Sequence, residues 1–244
     1  SVPLPRDASD ELFSDDLFTE PRVLPRVAAN LGNRKIVVFD TTFVNEAAKD
    51  ELLAKFGVVK VKNLDLIGAR AVYLPEQVEA LLARQPGVLR VEDDLVVEAL
   101  SHKTTQPAEV LPWGIDRIDA ELAWATTRAN PIKVAIIDTG IDLSHPDLKN
   151  NIKGGINTIR PTRSANDDNG HGTHVAGIVA GIDNTIGVVG VGPEIDLYAV
   201  KVLAANGSGW LSDIIEGLDW SISKGMDVVN MSLGTSGFSQ SFAD

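Results

Sequence analysis

Apolar and polar positions follow two different patterns along the chain, and the first pattern extends over residues 34–97. Four short segments, KIVVFD, VVKVKNL, ARAVYL and VLRVEDDLVV, have the pattern of strands, and the last is interpreted as a single strand. Two segments between them, FVNEAAKDELLAKFG and PEQVEALLARQPG, have helical spacing. This order, β-α-β-β-α-β, predicts a split βαβ unit that binds rather than catalyses. The first helix is expected to turn inward Phe43, Ala47, Leu52 and Phe56.

The second pattern begins at Trp113. From there, predicted strands alternate with predicted helices, as in a parallel sheet covered on both faces. IKVAIIDTGID predicts a buried strand ending at Asp138, and DVVNMSLG (227–234) predicts another buried strand. Ligands collect at the carboxyl ends of such strands, so Asp138 is a candidate site residue. Its alternative interpretation is a turn or helix-capping aspartate.

Composition shifts divide the chain into four predicted parts. Residues 1–31 are acidic and punctuated by proline, which predicts a flexible leader. Residues 32–98 form the α+β module, and residues 99–110 are a polar linker that a protease would cut most easily. Residues 111–244 form the α/β part. The leader is expected to dock weakly through its apolar residues Leu12, Phe13, Leu17 and Phe18, and the alternative is a disordered tail.

Charge and cysteine content exclude several classes of function. The net charge of −12 disfavours nucleic acid as a partner, because an acidic surface repels phosphates. No apolar run is long enough to span a bilayer, and SVPLPRDASD does not resemble an export signal, so we expect any such signal to be removed or never present. The absence of cysteine excludes disulfides, thiolate metal sites and cysteine nucleophiles.

Two histidines three residues apart lie in HGTHVAGIVAG, a glycine-rich turn that continues as an apolar helix. An imidazole at a helix start near a carboxylate can act as a general base, which favours this role for His171. The same spacing would also suit zinc, but the remaining histidines, His102 and His145, do not complete a zinc triad. His174 is interpreted as a structural residue that packs in the core.

Three segments in order resemble the subtilisin-like serine proteases, or subtilases. VAIIDTGIDLSHPDL is similar to their aspartate motif, NGHGTHVAGIVAG to their histidine motif, and VVNMSLG to their substrate-pairing strand. The order of aspartate before histidine is the one known for subtilisin. The resemblance implies that His171 is the general base and that Asp138 orients its imidazole. It also implies a three-layer α/β catalytic domain preceded by a ferredoxin-like inhibitory propeptide.

The resemblance further implies residues that bind an extended peptide. They flank a substrate strand on two sides: Gly207, Ser208, Gly209, Ser232, Leu233 and Gly234. The propeptide tail is expected to lie between them as the middle strand of a ladder, with the cut falling between Leu100 and Gln106.

One part of the family pattern does not occur in the chain. The nucleophile motif, Gly-Thr-Ser-x-Ala-x-Pro, has no counterpart, because GTSGF (234–238) lacks the alanine and proline and makes Ser236 a loop serine. Residues 111–244 correspond to the N-terminal half of the catalytic domain that the resemblance implies. We therefore expect a second chain or a missing C-terminal half to carry the serine and complete the sheet.

The resemblance also implies a structural calcium ion in the loop GIDNTIGVVG. Oxygen ligands in a flexible loop suit calcium better than zinc or magnesium. The implied ligands are the side chains and carbonyls of Glu109, Asp147, Ile182, Asn184, Ile186 and Val188.

The function expected from these features is that of a secreted serine endopeptidase zymogen, or its N-terminal processed piece. Its partners would be a peptide or protein substrate and its own propeptide. The alternative is a non-catalytic binding or inhibitor protein on an inactive scaffold of the same family.

Overall fold

The structure is a computed structural model that describes residues 33–99 and 108–243. The predicted leader and residues 100–107 of the predicted linker, with the expected cut between Leu100 and Gln106, lie outside the described residues. Within the described ranges, no helix combines the length and apolar character needed to cross a membrane.

The N-terminal module, residues 33–94, has the element order that the sequence predicts. Its four strands form one antiparallel sheet in the order β2-β3-β1-β4. Helix α1 begins where the Asn45 side chain accepts a hydrogen bond from the N–H of Ala48, as expected of an N-cap. The elements are β1 (Asn33–Phe39), α1 (Glu46–Lys55), β2 (Val59–Leu64), a 3-10 turn (Asp65–Ile67), β3 (Ala69–Leu74), α2 (Glu76–Leu82) and β4 (Val88–Asp93).

The prediction for the inward face of α1 is wrong in its first half. Phe43 precedes the Asn45 cap and is 67% exposed, and Ala47 is exposed as well. The helix buries Leu53 and also Lys49, whose ammonium pairs with Glu46 and lies 5.9 Å from the centre of the Phe39 ring. A lysine does not count as apolar in the hydropathy pattern, which explains why Lys49 is missing from the predicted inward face, whereas Leu52 and Phe56 pack against the core as predicted.

The C-terminal module, residues 108–243, contains a parallel sheet with strand order β10-β6-β8-β7. Two longer helices, α5 and α6, accompany it. The elements that follow β4 are β5 (Val96–Ala99), α3 (Trp113–Arg117), α4 (Ala120–Ala123), β6 (Lys133–Asp138), β7 (Ile152–Asn157), α5 (His171–Ala180), β8 (Asp196–Lys201), β9 (Ser208–Trp210), α6 (Leu211–Ser223), β10 (Val228–Asn230), β11 (Leu233–Gly234) and α7 (Gln240–Ala243).

Alternate residues of β6 face the two helices, which gives the predicted three layers. Ile136 packs in a core with Val175 and Ala176 of α5, whereas Ile137 packs with Ile214 of α6. The core on the α6 side also includes Ile36, Val38, Leu64, Ala69 and Ala71 from the sheet of the N-terminal module. The two modules therefore share one apolar core on the α6 side.

The predicted strand VLRVEDDLVV is two strands, because the chain leaves the first sheet at Asp94 and Leu95. Asp94 is only 4% exposed, and both residues contact the start of α6. Strand β5 then pairs antiparallel with β9 on one side and β11 on the other, in the order β11-β5-β9. The contacts of Asp94 and Leu95 with α6 thus redirect the chain.

DVVNMSLG is also two short strands rather than one buried strand. Strand β10 pairs in parallel with β6, and its Val228 is 50% exposed. Strand β11 belongs to the three-stranded sheet with β5 and β9. The segment therefore connects the parallel sheet to the strands around β5.

Candidate active site

Asp138 and His171 form a buried pair between the end of β6 and the start of α5. The imidazole Nδ1 lies 2.7 Å from Oδ1 of Asp138 and 2.9 Å from Oδ2. Asp138 is fully buried, and His171 is 7% exposed. The structure thus brings together the two predicted catalytic residues, which are 33 positions apart in the sequence.

Glycine allows the close approach of α5 to β6. A Cβ on Gly172 would lie 2.1 Å from the carbonyl oxygen of Gly140, a distance that backbone atoms cannot tolerate. Gly170, just before the helix, has a φ of 104°, which glycine adopts without strain. The Asn169 side chain accepts a hydrogen bond from the N–H of His171 at 3.1 Å and fixes the start of the helix. The glycine-rich motif therefore sets the position of the imidazole.

The carboxyl group of Asp138 is under opposing influences. Burial raises the pKa of Asp138 above its ordinary value, whereas the hydrogen bonds from His171 and from the N–H of Thr139 pull it down. The net direction is upward. A carboxylate held in such a site gains from a neighbouring imidazolium, because a positive charge offsets the cost of its burial.

Because Nδ1 contacts the carboxylate, proton exchange with a third group has to use the other ring nitrogen, Nε2. A neutral imidazole with a proton on Nδ1 carries its accepting lone pair on Nε2. A carboxylate that fixes this tautomer also stabilises the imidazolium that forms when Nε2 takes a proton. The pair can therefore act as a general base toward a hydroxyl group placed at Nε2.

The interpretation of His174 as a core residue is wrong. It lies one turn into α5, but its side chain is exposed, while Val175 and Ala176 face the sheet. His171 at the helix start is buried, so the two histidines differ in exposure although they are only three residues apart.

The predicted peptide-binding residues lie on both sides of β5. Ser208 and Gly209 of β9 are opposite Glu98 and Val97, and the carbonyl of Gly207 accepts a hydrogen bond from the N–H of Ala99 at 2.7 Å. On the other side, Leu233 and Gly234 of β11 are opposite Ala99 and Glu98. Ser232 precedes β11, and its hydroxyl hydrogen-bonds to the side chain of Asn230 at 3.0 Å.

The predicted calcium ligands converge on Asn184. Its N–H donates to the carboxylate of Glu109 at 2.6 Å, and its side-chain amide donates to Asp147 at 2.6 Å and to the carbonyl of Ile182 at 2.9 Å. The N–H of Val188 also donates to Asp147. The N–H of Ile186 donates to the Asn184 side-chain oxygen at 2.7 Å. Glu109 and Asp147 thus approach one loop from distant parts of the chain.

The described residues contain no cluster of three or more acidic, histidine or cysteine side chains arranged for a metal. The predicted calcium site includes two acidic side chains, those of Glu109 and Asp147, which is fewer than such a cluster contains.

Two carboxylates of the N-terminal module that the sequence did not single out cap helices of the C-terminal module. Asp94 accepts from the N–H of Ser212 at the start of α6, and Glu92 accepts from the N–H groups of Gln240 and Ser241 at the start of α7. The signal in the sequence was that Glu92 and Asp94 are alternate acidic residues and therefore share one face of the strand. An ordinary solvent-exposed strand has the same pattern, so this signal does not identify helix caps.

Charged side chains reinforce the contact between the modules. Arg34 pairs with Asp94 at 2.5 Å, hydrogen-bonds to the Ser212 hydroxyl and lies over the ring of Trp210. Lys62 pairs with Asp213 and with Glu216, the latter at 2.6 Å. Burial raises the pKa of Asp213, and Lys62 pulls it down.

Sequence comparison relates the chain that carries this fold and buried pair to a known family. Residues 129–244 match the model of the subtilase family, Peptidase_S8. The chain is 43% identical over 191 residues to an alkaline protease of Alkalihalobacillus alcalophilus, an alignment covering 78% of this chain and 46% of that protein. It is 42% identical over 204 residues to subtilisin E of Bacillus subtilis (strain 168), covering 82% and 51%.

A third relative, alkaline elastase YaB of Bacillus sp. (strain YaB), is 38% identical over 201 residues, covering 81% of this chain and 48% of its own. The chain belongs to the subtilase family of serine proteases. It spans about half the length of the curated relatives it matches.

Proposed function

We propose that this chain supplies the aspartate and histidine of a serine endopeptidase. His171 accepts the proton of a serine hydroxyl as its oxygen attacks the peptide carbonyl, and then passes that proton to the departing amine. Asp138 keeps the imidazole in the required tautomer and stabilises its protonated form. The observation that carries this proposal is the buried Asp138–His171 pair at the carboxyl end of β6.

The nucleophilic serine, in this proposal, belongs to polypeptide outside these 244 residues. It is either a C-terminal continuation or a second chain that adds strands beside β10. The half-exposed Val228 supports this, since an apolar edge gains from further strands.

The substrate would be an extended peptide that binds between β9 and β11. Strand β5 already makes antiparallel main-chain contacts with both, and β-strand addition of this type selects peptides by shape along an edge. The end of β5 also lies close to the catalytic loop. A Cβ on Gly207 would come within 3.5 Å of the Ala99 side chain and 3.7 Å of that of Asn169, two residues before His171.

The N-terminal module would then act as an inhibitory propeptide and folding chaperone. Its β5 extension occupies the peptide-binding strands, and its sheet shares the core beside α6. Its carboxylates cap α6 and α7, so it stabilises helix ends of the C-terminal module that would otherwise need other partners.

We also propose a structural calcium ion held by Glu109, Asp147, Asn184 and nearby carbonyls. Two carboxylates and an amide from separate segments meet at one loop, and oxygen is the ligand atom that calcium prefers. The ion would brace the loop after α5 rather than take part in proton transfer. An extracellular location is part of the same proposal and follows the family resemblance.

A non-catalytic binding protein is the competing proposal. A binding protein has no use for a buried, hydrogen-bonded carboxylate–imidazole pair. Because burying such a pair costs stability, its presence favours the catalytic role. Treatment of the native protein, with any polypeptide that co-purifies, with a serine-directed phosphonate separates the two. We expect covalent labelling of a serine that is lost in His171→Ala, whereas a binding protein would show no labelling above that of a heat-denatured sample.

A further inference from the structure

We propose that Asp167 is a positioning residue for the Asp138–His171 pair and acts through Thr139 and the first turn of α5. The inference rests on the proposed function, because it specifies what holds the general base in place. It concerns a carboxylate that does not contact His171 and that the sequence analysis did not single out.

Asp167 is a centre of hydrogen bonds at the start of α5. Its Oδ1 accepts from the Thr139 hydroxyl at 2.9 Å, from the N–H of Asn169 at 2.9 Å and from the N–H of Gly170 at 3.0 Å. Its Oδ2 accepts from the N–H of Thr173 at 3.0 Å and from the hydroxyl of Thr173 at 2.5 Å. Five donors on one carboxylate fix the residues on both sides of His171.

Thr139 connects this centre to Asp138. It is fully buried, and its N–H donates to Oδ1 of Asp138 at 2.7 Å. Its hydroxyl donates to Asp167 and accepts from the N–H of Gly172 at 2.9 Å. A single hydroxyl thus joins the end of β6 to the first turn of α5, and the two members of the catalytic pair stand on those two elements.

The accepting side chain has to be a carboxylate. Both oxygens of Asp167 face donors only, so an amide in its place would direct an NH₂ group at donors on one side. Burial alone would raise the pKa of Asp167, but hydrogen bonds from the N–H of Gly170 and from Thr173 lower it below its ordinary value. The group is therefore held as an anion.

The charged groups around this centre are few. Asp138 lies on the other side of Thr139, and Asp167 is among the influences that raise its pKa. Asp168 points away and pairs with Lys201 at 2.7 Å, and that lysine also donates to the carbonyls of Thr139 and Leu203. The negative charge of Asp167 thus adds to that of Asp138 on the side of β6 that faces the imidazole.

Thr139→Val and Thr139→Ser form the decisive pair of variants. Valine keeps the branched shape but removes the hydroxyl, so Gly172 loses its acceptor and Asp167 loses one donor. Serine keeps the hydroxyl and loses only a methyl group. Asp167→Asn tests the carboxylate itself, and Asp168→Asn neutralises the neighbouring, 55% exposed carboxylate as its matched control.

The first readout is the low-field proton resonance of the His171 Nδ1–H in the present chain, labelled with ¹⁵N-histidine. The chain has 4 histidines, so assignment by single substitution is practical. We expect Thr139→Val and Asp167→Asn to shift or lose this resonance through faster exchange with water, while Thr139→Ser and Asp168→Asn keep it. Circular dichroism identifies any variant that does not fold. If Asp167→Asn does not fold, the comparison of Thr139→Val with Thr139→Ser provides the test.

The second readout is kinetic and uses the serine-completed protease. Misplacing a catalytic group lowers turnover, so Thr139→Val should reduce kcat by about 10- to 100-fold with KM little changed. A wild-type resonance and wild-type kcat in folded Thr139→Val would overturn the inference and leave the proposed function intact. Equal losses in Thr139→Ser and Thr139→Val would also overturn it. If the wild-type protein has no peptidase activity but the resonance responds as expected, the positioning role stands and the proposed function fails.

Discussion

The carboxylate of Asp94 accepts a hydrogen bond from the N–H of Ser212, with 2.9 Å between Oδ1 and N, although the two residues are 118 positions apart. The Ser212 hydroxyl donates to the other oxygen of Asp94 at 2.7 Å. Ser212 lies in the first turn of α6, so the N-terminal module provides the cap that this helix lacks in its own sequence. The contact between the modules therefore depends on a few defined polar contacts as well as on a shared apolar core.

Removing this cap should destabilise the chain measurably. Asp94→Ala leaves the N–H of Ser212 and the guanidinium of Arg34 without their acceptor, which should lower the free energy of unfolding by about 1–3 kcal/mol. Urea denaturation followed by fluorescence measures this change. Asp93→Ala is the control, since its side chain is 66% exposed, and it should cost clearly less. Equal losses in the two variants would show that the cap does not hold the modules together.

The ion pair between Lys62 and Asp213 should matter more as pH rises. Burial raises the pKa of Asp213 and Lys62 pulls it down, so Lys62→Met should raise it further. Ionising the buried Asp213 costs stability. This cost is absent below the pKa of Asp213 in the unfolded chain, 3.8, and grows as pH rises through the higher pKa of the folded state. Lys62→Met should thus lower the unfolding free energy at pH 7 by about 2–4 kcal/mol and by much less at pH 3. Melting curves of both proteins across this pH range provide the test, and a difference independent of pH would contradict it.

The N-terminal module should lose stability in acid through a different group of residues. Arg70 is the main cause that lowers the pKa of Glu46 below 4.5, and Lys60 is the main cause that lowers that of Asp50 below 3.8. A depressed carboxyl pKa contributes stability that is present above the unfolded value and is lost as pH falls through the folded value. The protection factors of the β1 and β3 amides, which correct for the intrinsic pH dependence of exchange, should therefore fall below about pH 4, and Glu46→Gln should weaken this dependence. The β6 amides provide the reference. If protection of the β1 and β3 amides relative to that of the β6 amides does not change with pH, the expectation is wrong.

Calcium should stabilise the chain through Asp147. An ion that binds only the folded state raises the melting temperature in proportion to the logarithm of its concentration once the site is saturated. A chelator should lower the melting temperature, and Asp147→Ala should remove most of the difference. Asp183→Ala changes an exposed carboxylate in the same loop that pairs with Arg128 and should preserve the calcium response. A melting temperature unaffected by chelator in the unmodified chain would exclude the site.

The two histidines of α5 should respond differently to substitution. His174 is exposed, so His174→Ala should change both activity and stability little, by less than about 0.5 kcal/mol in stability. His171→Ala should stop linker processing in the serine-completed protein, because the serine loses its proton acceptor. Gel analysis of processing in the two variants gives the comparison. Normal processing in His171→Ala would remove His171 from the mechanism.

The sequence predicted the elements whose periodicity is set by burial on a regular face. The apolar run in KVAIID is of this kind, because Ile136 and Ile137 meet opposite helices and a strand buried on both faces is typical of a parallel sheet. The strand-end position of Asp138 and the helix-start position of His171 make both residues candidates, and the family resemblance assigns their roles.

Other features depend on long-range contacts that local patterns do not reveal. The break at Asp94 is set by α6, which lies more than a hundred residues later. Lys49 is buried because an ion pair and an aromatic ring accompany it, and hydropathy alone does not predict that a lysine faces the core. The sequence analysis does not single out Asp167, because its hydrogen bonds to Thr139 and Thr173 require the folded approach of α5 to β6.

The rate of peptide hydrolysis by a serine-completed protein tests most directly whether Asp138 and His171 form the proton-transfer pair. The chain is joined after Asp244 to the corresponding C-terminal part of subtilisin E, and kcat/KM for a chromogenic peptide is compared with that of the same protein carrying His171→Ala. Folding of both is verified by circular dichroism. We expect hydrolysis by the first protein and a loss of at least about 10³-fold in the second. Equal rates in the two folded proteins would contradict the assignment of His171 and Asp138 as the proton-transfer pair.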